Sequence, residues 1–137
     1  MEEITVHTNI NASLEEVWRR FTTPADVKQW NYASEDWHTT AASNDLRVSG
    51  KFNYRMEAKA GSFGFDFWGV YDKIDEFKKL EYTLGDGRKV SVVFEFTGLG
   101  TKLTETFEAE DENPVEMQQF GWQAILDNFK KYIENQL

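Results

Sequence analysis

The amino-acid sequence predicts an α+β domain in which a curved antiparallel sheet of six or seven strands wraps around one long C-terminal helix. Two short helices are expected after the first strand. Apolar side chains recur at three- and four-residue spacing in residues 113–137, which is typical of an amphipathic helix. Before residue 113, apolar and polar residues mostly alternate, which is typical of half-buried strands. The short connections between these strands suit antiparallel hairpins, and a sheet is the natural cover for a single long helix.

A strand and two short helices are predicted at the start of the chain. Residues 3–10 alternate, and one face carries Ile4, Val6, Thr8 and Ile10. Residues 13–16 have the pattern of a capping box, which begins a helix with the apolar residues Leu14, Val17, Trp18 and Phe21. Thr23 and Pro24 repeat the start signal, so a second short helix follows and carries Val27 and Trp30.

Strand signals continue through the middle of the chain. Residues 37–42 are predicted to form a short strand, and residues 46–56 alternate as expected for a long half-buried one. Between Phe63 and Ile74 the apolar residues change parity near Gly69. A bulge or sharp bend at that glycine would produce such a change, so the sheet is expected to curve there.

Two glycine-rich hairpins, at residues 85–87 and 98–100, connect the last three strands. The apolar residues of the first two strands are Leu80, Tyr82 and Leu84, then Val90, Val92, Phe94 and Phe96. On the third strand, Leu103, Glu105 and Phe107 share one face. The acidic stretch at residues 108–112 leads into the terminal helix and lacks the ligand spacing of a calcium-binding loop.

Several start signals for the terminal helix cluster at residue 113. Asn113 can cap it, Pro114 suits the first helical position, and Glu116 stands where a capping-box carboxylate reaches back. The apolar stripe of the helix comprises Val115, Trp122, Ile125, Leu126, Phe129 and Ile133. Phe120 lies on the opposite side of the helical wheel, so we expect the sheet to cover the stripe and leave Phe120 outside.

Composition limits the possible functions. We expect residues 1–137 to form a single domain, because a chain of this length buries a core without metals or disulfides. A net charge of −9, with no run of Lys or Arg longer than a pair, argues against nucleic acids and anionic membranes as partners. The sequence has no cysteine, no signal-like N-terminus and no apolar run long enough to span a membrane, so a cytoplasmic protein is expected.

Motifs for metals and phosphates are weak. The two histidines, His7 and His38, lie on different predicted elements and lack a ligand spacing. The glycine-rich stretches at residues 61–64 and 98–100 do not lead from a strand into a helix, so they are interpreted as hairpin turns and not as phosphate loops. No metal and no cofactor are therefore expected.

Several phrases, in order, resemble the START-like (SRPBCC) superfamily, and within it the family of homologues of the activator of the 90-kDa heat-shock protein ATPase. They are NASLEEVWRRFTTPADVKQW, DLRVSGKFNYRM, FWGVYDKID, KKLEYTL, TKLTETF and GWQAILDNFKKYIE. The resemblance covers nearly the whole chain and implies a helix-grip fold with an apolar cavity between sheet and helix. Relatives include ligand carriers, cyclases and chaperone cofactors.

Two departures from that family affect what it implies. The eukaryotic activator has a further N-terminal domain that makes its main chaperone contact, whereas this sequence starts at strand one, so chaperone activation does not carry over. Relatives commonly have an apolar residue where this chain has Glu105. An acid is therefore a candidate for the cavity wall.

Aromatic residues make up 15% of the chain and allow two interpretations, a solid core or a core with a ligand-sized gap. Gly121 lies inside the terminal helix, where glycine costs about 1 kcal/mol relative to alanine, so we expect its backbone to approach a strand or a ligand closely. The candidate ligand-binding residues are Trp30, Tyr54, Phe65, Phe67, Phe94, Phe96, Glu105, Phe107, Gly121, Trp122 and Ile125.

Glu105 allows two interpretations of its own. Strand parity places it with Leu103 and Phe107, so on a concave face its pKa would be raised by desolvation and it would anchor a ligand hydroxyl or amine. Alternatively, it lies near the cavity rim or is paired with a basic neighbour.

Three functions follow from these features. The first is a non-enzymatic module that binds a small apolar or amphipathic molecule between sheet and helix. The second is a protein-interaction module related to chaperone cofactors, with a filled interior. The third, a cyclase-type enzyme, needs paired acid and base groups, for which only Glu105 and the tyrosines are available. We therefore expect a protein that is not an enzyme.

Overall fold

Seven strands and three helices make up residues 2–136, which a computed structural model describes. Their order is β1 (Glu3–Ile10), α1 (Leu14–Thr22), α2 (Pro24–Trp30), β2 (Trp37–Asn44), β3 (Lys51–Ala58), β4 (Gly64–Asp75), β5 (Lys79–Leu84), β6 (Lys89–Phe96), β7 (Thr101–Glu108) and α3 (Val115–Glu134). The predicted order of one strand, two helices, further strands and a final helix is confirmed.

The strands form one curled antiparallel sheet in the order β1-β7-β6-β5-β4-β3-β2. Helix α3 runs along the β1 edge, where the side-chain amide of Gln123 donates to the carbonyl oxygen of His7 at 3.0 Å. The other edge, β2, is joined to α2 because Thr39 Oγ1 donates to the carbonyl oxygen of Asn31 at 2.6 Å. Both edges of the sheet are therefore covered, and the predicted fold class is confirmed.

The two short helices begin as predicted, with one difference in capping. Ser13 Oγ accepts a hydrogen bond from the backbone N–H of Glu16 at 3.2 Å, which is the first half of a capping box. The Glu16 carboxylate accepts from Arg19 Nη2 at 2.6 Å and from Arg20 Nε at 2.8 Å. Glu16 therefore links two arginines of the next turn.

Helix α3 begins at Val115 and ends at Glu134, and its start differs from the prediction. Asn113 and Glu116 do not cap it, and Pro114 occupies the N-cap position without a side-chain hydrogen bond. Gln118 orders the start instead, because its Oε1 accepts from the Glu110 N–H at 2.9 Å and its Nε2 donates to the Asn113 carbonyl at 2.8 Å. Leu137, which the sequence places in this helix, lies outside the described residues.

The predicted faces of α3 are confirmed. The stripe residues Leu126, Phe129 and Ile133 are wholly buried, and Trp122 packs against the core. Phe120 is 77% exposed, as expected for the opposite face. The contrast arises because only one side of α3 faces the sheet.

The predicted strand at residues 46–56 begins late, because β3 starts at Lys51. Residues 45–50 form the loop that joins β2 to β3, in which Ser49 has a positive φ of 69°. A side chain at Gly50 would meet the Asp45 carbonyl oxygen at 2.1 Å, so the loop folds tightly on itself. The alternation of Leu46 and Val48 therefore has no structural consequence, and both side chains are exposed.

The predicted bulge in β4 lies three residues after Gly69, because the register shifts between Tyr71 and Lys73. Gly69 keeps its place in the strand and leaves room for Phe52, whose ring would lie 2.9 Å from a Cβ at that position. Trp68 faces outward and lies over the Lys51 ammonium, 4.4 Å from its ring centroid. The parity change in the sequence arose because β4 has apolar side chains on both faces there.

None of the helices within residues 2–136 has the length and apolar character that crossing a membrane requires.

Candidate functional site

A pocket of about 430 Å³ lies between the concave face of the sheet and the first half of α3. Eight of the predicted site residues line it, namely Trp30, Tyr54, Phe65, Phe67, Glu105, Gly121, Trp122 and Ile125. They come from α2, three strands (β3, β4 and β7) and α3, which the curl of the sheet brings together. The pocket is therefore built from residues far apart in the sequence.

Three of the predicted site residues do not line the pocket. Phe94 packs in the core, with its ring centroid 5.0 Å from that of Trp18. Phe107 is wholly buried beneath Trp122, and the two rings stack at 3.8 Å. Phe96 is 67% exposed, because it is the last residue of β6 and extends past the covered part of the sheet. Strand alternation predicts which face of the sheet a side chain is on, but it does not predict whether that side chain lies beside the pocket, deep in the core or beyond the covered part of the strand.

Sequence reasoning missed other residues of the lining. They include Phe21, Asn31, Trp37, Phe52, Met56, Tyr71, Leu80, Tyr82, Arg88, Glu110, Asn113 and Gln118. Tyr82 lies on the same inward face of β5 as Leu80 and Leu84, so strand parity was a signal for it. Arg88, Glu110 and Asn113 come from connections, which have no periodic signal.

Three tyrosines on adjacent strands supply hydroxyl groups. Tyr71 pairs with Tyr82 across β4 and β5, and the Tyr71 hydroxyl donates to Asn44 Oδ1 at 2.8 Å. Burial raises the pKa of Tyr54 and Tyr82 well above the usual tyrosine value, and burial also raises the pKa of Tyr71. These hydroxyls are therefore neutral hydrogen-bonding groups at physiological pH.

Glu105 is the buried acid of the pocket, with only 7% of its surface exposed. Its neighbours across β1 and β6 are Val6 and Val92, which offer no side-chain hydrogen bond. No donor or cation within residues 2–136 is bonded to its carboxyl group, and burial raises its pKa to about 8. Of the two interpretations of Glu105, the geometry agrees with the desolvated acid and contradicts the paired one.

Arg88 and Glu110, the other charged residues that line the pocket within residues 2–136, are held by partners of their own. Arg88 Nε donates to Asp86 Oδ2 at 2.8 Å, and Arg88 Nη1 donates to the Glu108 carbonyl at 3.3 Å. Glu110 Oε1 accepts from the backbone N–H of Asn113 at 2.7 Å. Arg88 therefore leaves the charge of Glu105 uncompensated.

Gly121 was expected to approach either a strand or a ligand closely, and the structure contradicts the first of these two alternatives. A Cβ atom at this position would meet no atom within 4 Å, so no strand approaches the helix backbone there. The expectation of close strand contact is wrong. The missing side chain leaves open space beside Trp122, and this space is part of the pocket.

A metal site needs several ligands in one place. In the described part of the chain, no cluster of three or more His, Cys, Asp or Glu residues is arranged to hold a metal ion. The pocket combines an apolar wall, three phenol hydroxyls and one unpaired carboxyl group. Such an arrangement can bind an apolar body and orient one polar group.

A family model described as Activator of Hsp90 ATPase homolog 1-like protein matches residues 11–134. None of the curated proteins is similar enough in sequence to match the chain.

Solved structures give further similarity. An AHSA1-like protein from Aeromonas hydrophila is 42% identical, with a TM-score of 0.92 over 98% of this chain and 93% of that one. A protein from Cytophaga hutchinsonii is 49% identical, with a TM-score of 0.85 over the same shares of the two chains. A protein from Chromobacterium violaceum is 23% identical, with a TM-score of 0.88 over 98% of this chain and 99% of that one, and shows similarity of fold.

Proposed function

The chain belongs to the Activator of Hsp90 ATPase homolog 1-like family, and from this premise we propose that it is a non-enzymatic module that holds a small apolar or amphipathic molecule between the sheet and α3. One observation carries the proposal: a pocket of about 430 Å³ with an aromatic wall and a single unpaired carboxyl group. Pockets for small molecules commonly measure about 300–1,000 Å³ and combine apolar walls with a few polar groups.

The size of the pocket supports binding over a filled core. Protein interiors pack at the density of organic crystals, with few voids larger than a water molecule. A sequence selected only for a solid core would place a larger side chain at Gly121, which has open space around it. The glycine is therefore explained by an occupant that needs this space.

The titratable groups of the pocket support a role without catalysis. Acid–base catalysis generally needs groups that can exchange protons near neutral pH. Glu105, with a pKa of about 8, is such a group, but no second titratable group is bonded to it in the described part of the chain. The pKa values of Tyr54 and Tyr82 are raised well above this range by burial, so Glu105 has no acid–base partner there. We propose binding and release of a ligand without its conversion.

A protein-interaction module is the second candidate, and the outer face of α3 favours it. Met117 is 60% exposed and Phe120 is 77% exposed, and their three-residue spacing places them on one face of the helix. Family membership makes a chaperone a natural partner class to test. We propose a cytoplasmic location for either function, because a chain without cysteine suits a reducing compartment.

Tryptophan fluorescence tests the leading proposal, because Trp30, Trp37 and Trp122 line the pocket. The protein should be titrated with a panel of lipids, flavonoids and polyketides. Binding at micromolar concentration should shift or quench the emission. Gly121→Leu should abolish this response by filling the pocket, whereas Gly121→Ala, the matched control, should retain it.

If no compound changes the fluorescence, or if folded Gly121→Leu responds like the original protein, the binding proposal is wrong. Recovery of a chaperone by the protein but not by a Met117→Ala, Phe120→Ala double variant would then support the interaction module.

A further inference from the structure

The chemistry of the ligand follows from Glu105, a buried carboxyl group of the pocket that has no bonding partner among residues 2–136. Glu105 is 7% exposed and has apolar neighbours on both adjacent strands, Val6 and Val92. Burying a carboxyl group costs free energy when no protein donor compensates for the hydration that it loses. A ligand group that bonds to Glu105 would remove this cost.

Aromatic rings surround the space that Glu105 shares. Trp122 stacks on Phe107 at 3.8 Å, and its ring centroid lies 6.0 Å from that of Phe67 in an edge arrangement. Tyr82 is near enough for its own pKa to be affected by Glu105. Aromatic faces carry partial negative charge and attract ammonium groups, as in the aromatic cages that bind amines.

We propose that the pocket selects cationic amphiphiles, in which Glu105 and the surrounding aromatic rings hold a protonated amine and the apolar walls hold its hydrocarbon body. This inference rests on the proposed binding function and specifies its ligand class. The occupant is defined by two features, an ammonium group and an apolar body that fits about 430 Å³.

The charges around the pocket favour a cation over an anion. Arg88 is engaged with Asp86 and with the backbone of Glu108. An anionic ligand would therefore meet Glu105 and Glu110, and no free cation among residues 2–136 lines the pocket to offset them. The net charge of −9 also attracts cations towards the protein. An anionic headgroup is therefore the least favoured of the three ligand types, cation, neutral and anion.

A cation is also favoured over a neutral hydroxyl. Charge-assisted hydrogen bonds are about twice as strong as neutral ones, and a pocket that excludes water strengthens them further. Because the pKa of Glu105 is about 8, about a tenth of the protein has Glu105 ionised at pH 7. The cost of removing this proton therefore lowers the affinity for an amine only about tenfold at that pH. The ion pair that forms in return is desolvated and surrounded by aromatic rings.

The pH dependence of binding differs between an amine and a neutral alcohol. An amine needs Glu105 ionised, so its affinity should rise about tenfold from pH 6 to pH 7 and level off above the pKa of about 8. A neutral alcohol needs no ionisation and should show no rise. The other titratable or charged groups facing the pocket are Tyr54, Tyr71, Tyr82, Arg88 and Glu110. The pKa values of the three tyrosines are raised, so they do not titrate in this range.

The test uses three probes with the same tail and different headgroups: 4-phenylbutylamine, 4-phenylbutan-1-ol and 4-phenylbutanoate. Isothermal titration calorimetry at pH 8 should give an affinity for the amine about tenfold or more above that for the alcohol, with the carboxylate weakest. Titrations of the amine at pH 6 in buffers of different ionisation enthalpy should show about one proton released per amine bound.

Two variants separate a local contact from general negative charge. Glu105→Gln keeps the shape of the side chain and should reduce the preference for the amine to near unity, without pH dependence. Glu15→Gln is the control, because it removes the same negative charge from an exposed position that does not line the pocket. It should retain most of the preference.

The outcomes distinguish this inference from the binding function on which it rests. Equal affinity for amine and alcohol, or a preference for the amine that survives in folded Glu105→Gln, would overturn the cationic ligand class and leave the binding module standing. If the original protein binds none of the three probes at millimolar concentration, both proposals fall.

Discussion

Two buried acids in this protein have similar exposure and opposite surroundings. Asp26, in α2, is 9% exposed, and its Oδ1 accepts from Arg20 Nη1 at 3.1 Å and from the Tyr132 hydroxyl at 2.5 Å. Glu105, in β7, is 7% exposed and has no partner among residues 2–136. The cost of burial is offset at Asp26 and not at Glu105.

The comparison teaches that burial of an acid does not by itself mark a functional site. The cluster around Asp26 joins three helices, because Arg20 is in α1 and Tyr132 is in α3. Two donors from neighbouring helices bond to Asp26 Oδ1, so a structural role explains its burial. Glu105 has a bonding capacity that the fold does not use, and this unused capacity indicates a role in binding.

The largest expected effect concerns Phe129, which packs against two residues, Phe21 and Trp30, that line the pocket. Its ring centroid lies 4.8 Å from that of Trp30 and 5.5 Å from that of Phe21, and these residues belong to the helices that carry Asp26 and Arg20. Phe129→Ala should reduce the free energy of unfolding by about 3–5 kcal/mol, measured by denaturant titration. Phe120→Ala, on the exposed face, is the control and should change it far less. Equal losses would show that the assignment of the helix faces is wrong.

The second effect is a pH-dependent stabilisation in Glu105→Gln. The pKa of Glu105 is about 8 in the folded protein and 4.5 as an ordinary carboxyl group, so ionisation opposes folding. The penalty is absent below the unfolded pKa, grows as pH rises through the interval, and is constant above the folded pKa. Relative to the original protein, the variant should gain a few kcal/mol between pH 4 and pH 8, measured by melting. A difference that stays constant across this range would contradict the desolvated acid.

A smaller effect of opposite sign is expected at the other acid. Asp26→Ala removes the acceptor shared by Arg20 and Tyr132, so it should destabilise the protein by about 1–3 kcal/mol at neutral pH. Glu15→Ala, which removes an exposed acid from α1, is the control and should stay within about 0.5 kcal/mol. If chemical denaturation shows that Asp26→Ala leaves the free energy of unfolding unchanged, the structural role assigned to Asp26 is wrong.

The smallest effect tests the space beside Glu105. Gly121→Ala should stabilise the protein by up to about 1 kcal/mol, because alanine favours helix and its Cβ meets no atom within 4 Å. Thermal melting measures the change. A decrease in melting temperature would mean that the backbone at Gly121 needs a glycine for a reason other than space.

Sequence periodicity predicted most of the fold and part of the site. Strand β1 begins and ends where alternation predicted, because one face of the strand packs in the core and the other face is exposed to solvent. The alternation at Leu46 and Val48 failed, because those residues fall in a loop with no neighbouring strand. At Gly69 the parity change was misleading, because large apolar side chains occupy the outer face as well.

The sequence alone determined which side of β7 holds Glu105, because side chains on a strand alternate and those of Leu103 and Phe107 must be buried. It also determined the buried face of α3 and the order of the elements. Tertiary structure alone decided that Glu105 has no partner, that Arg88 bonds elsewhere and that Gly121 borders open space. These facts depend on distances between residues far apart in the chain, which the curl of the sheet sets and which no local pattern encodes.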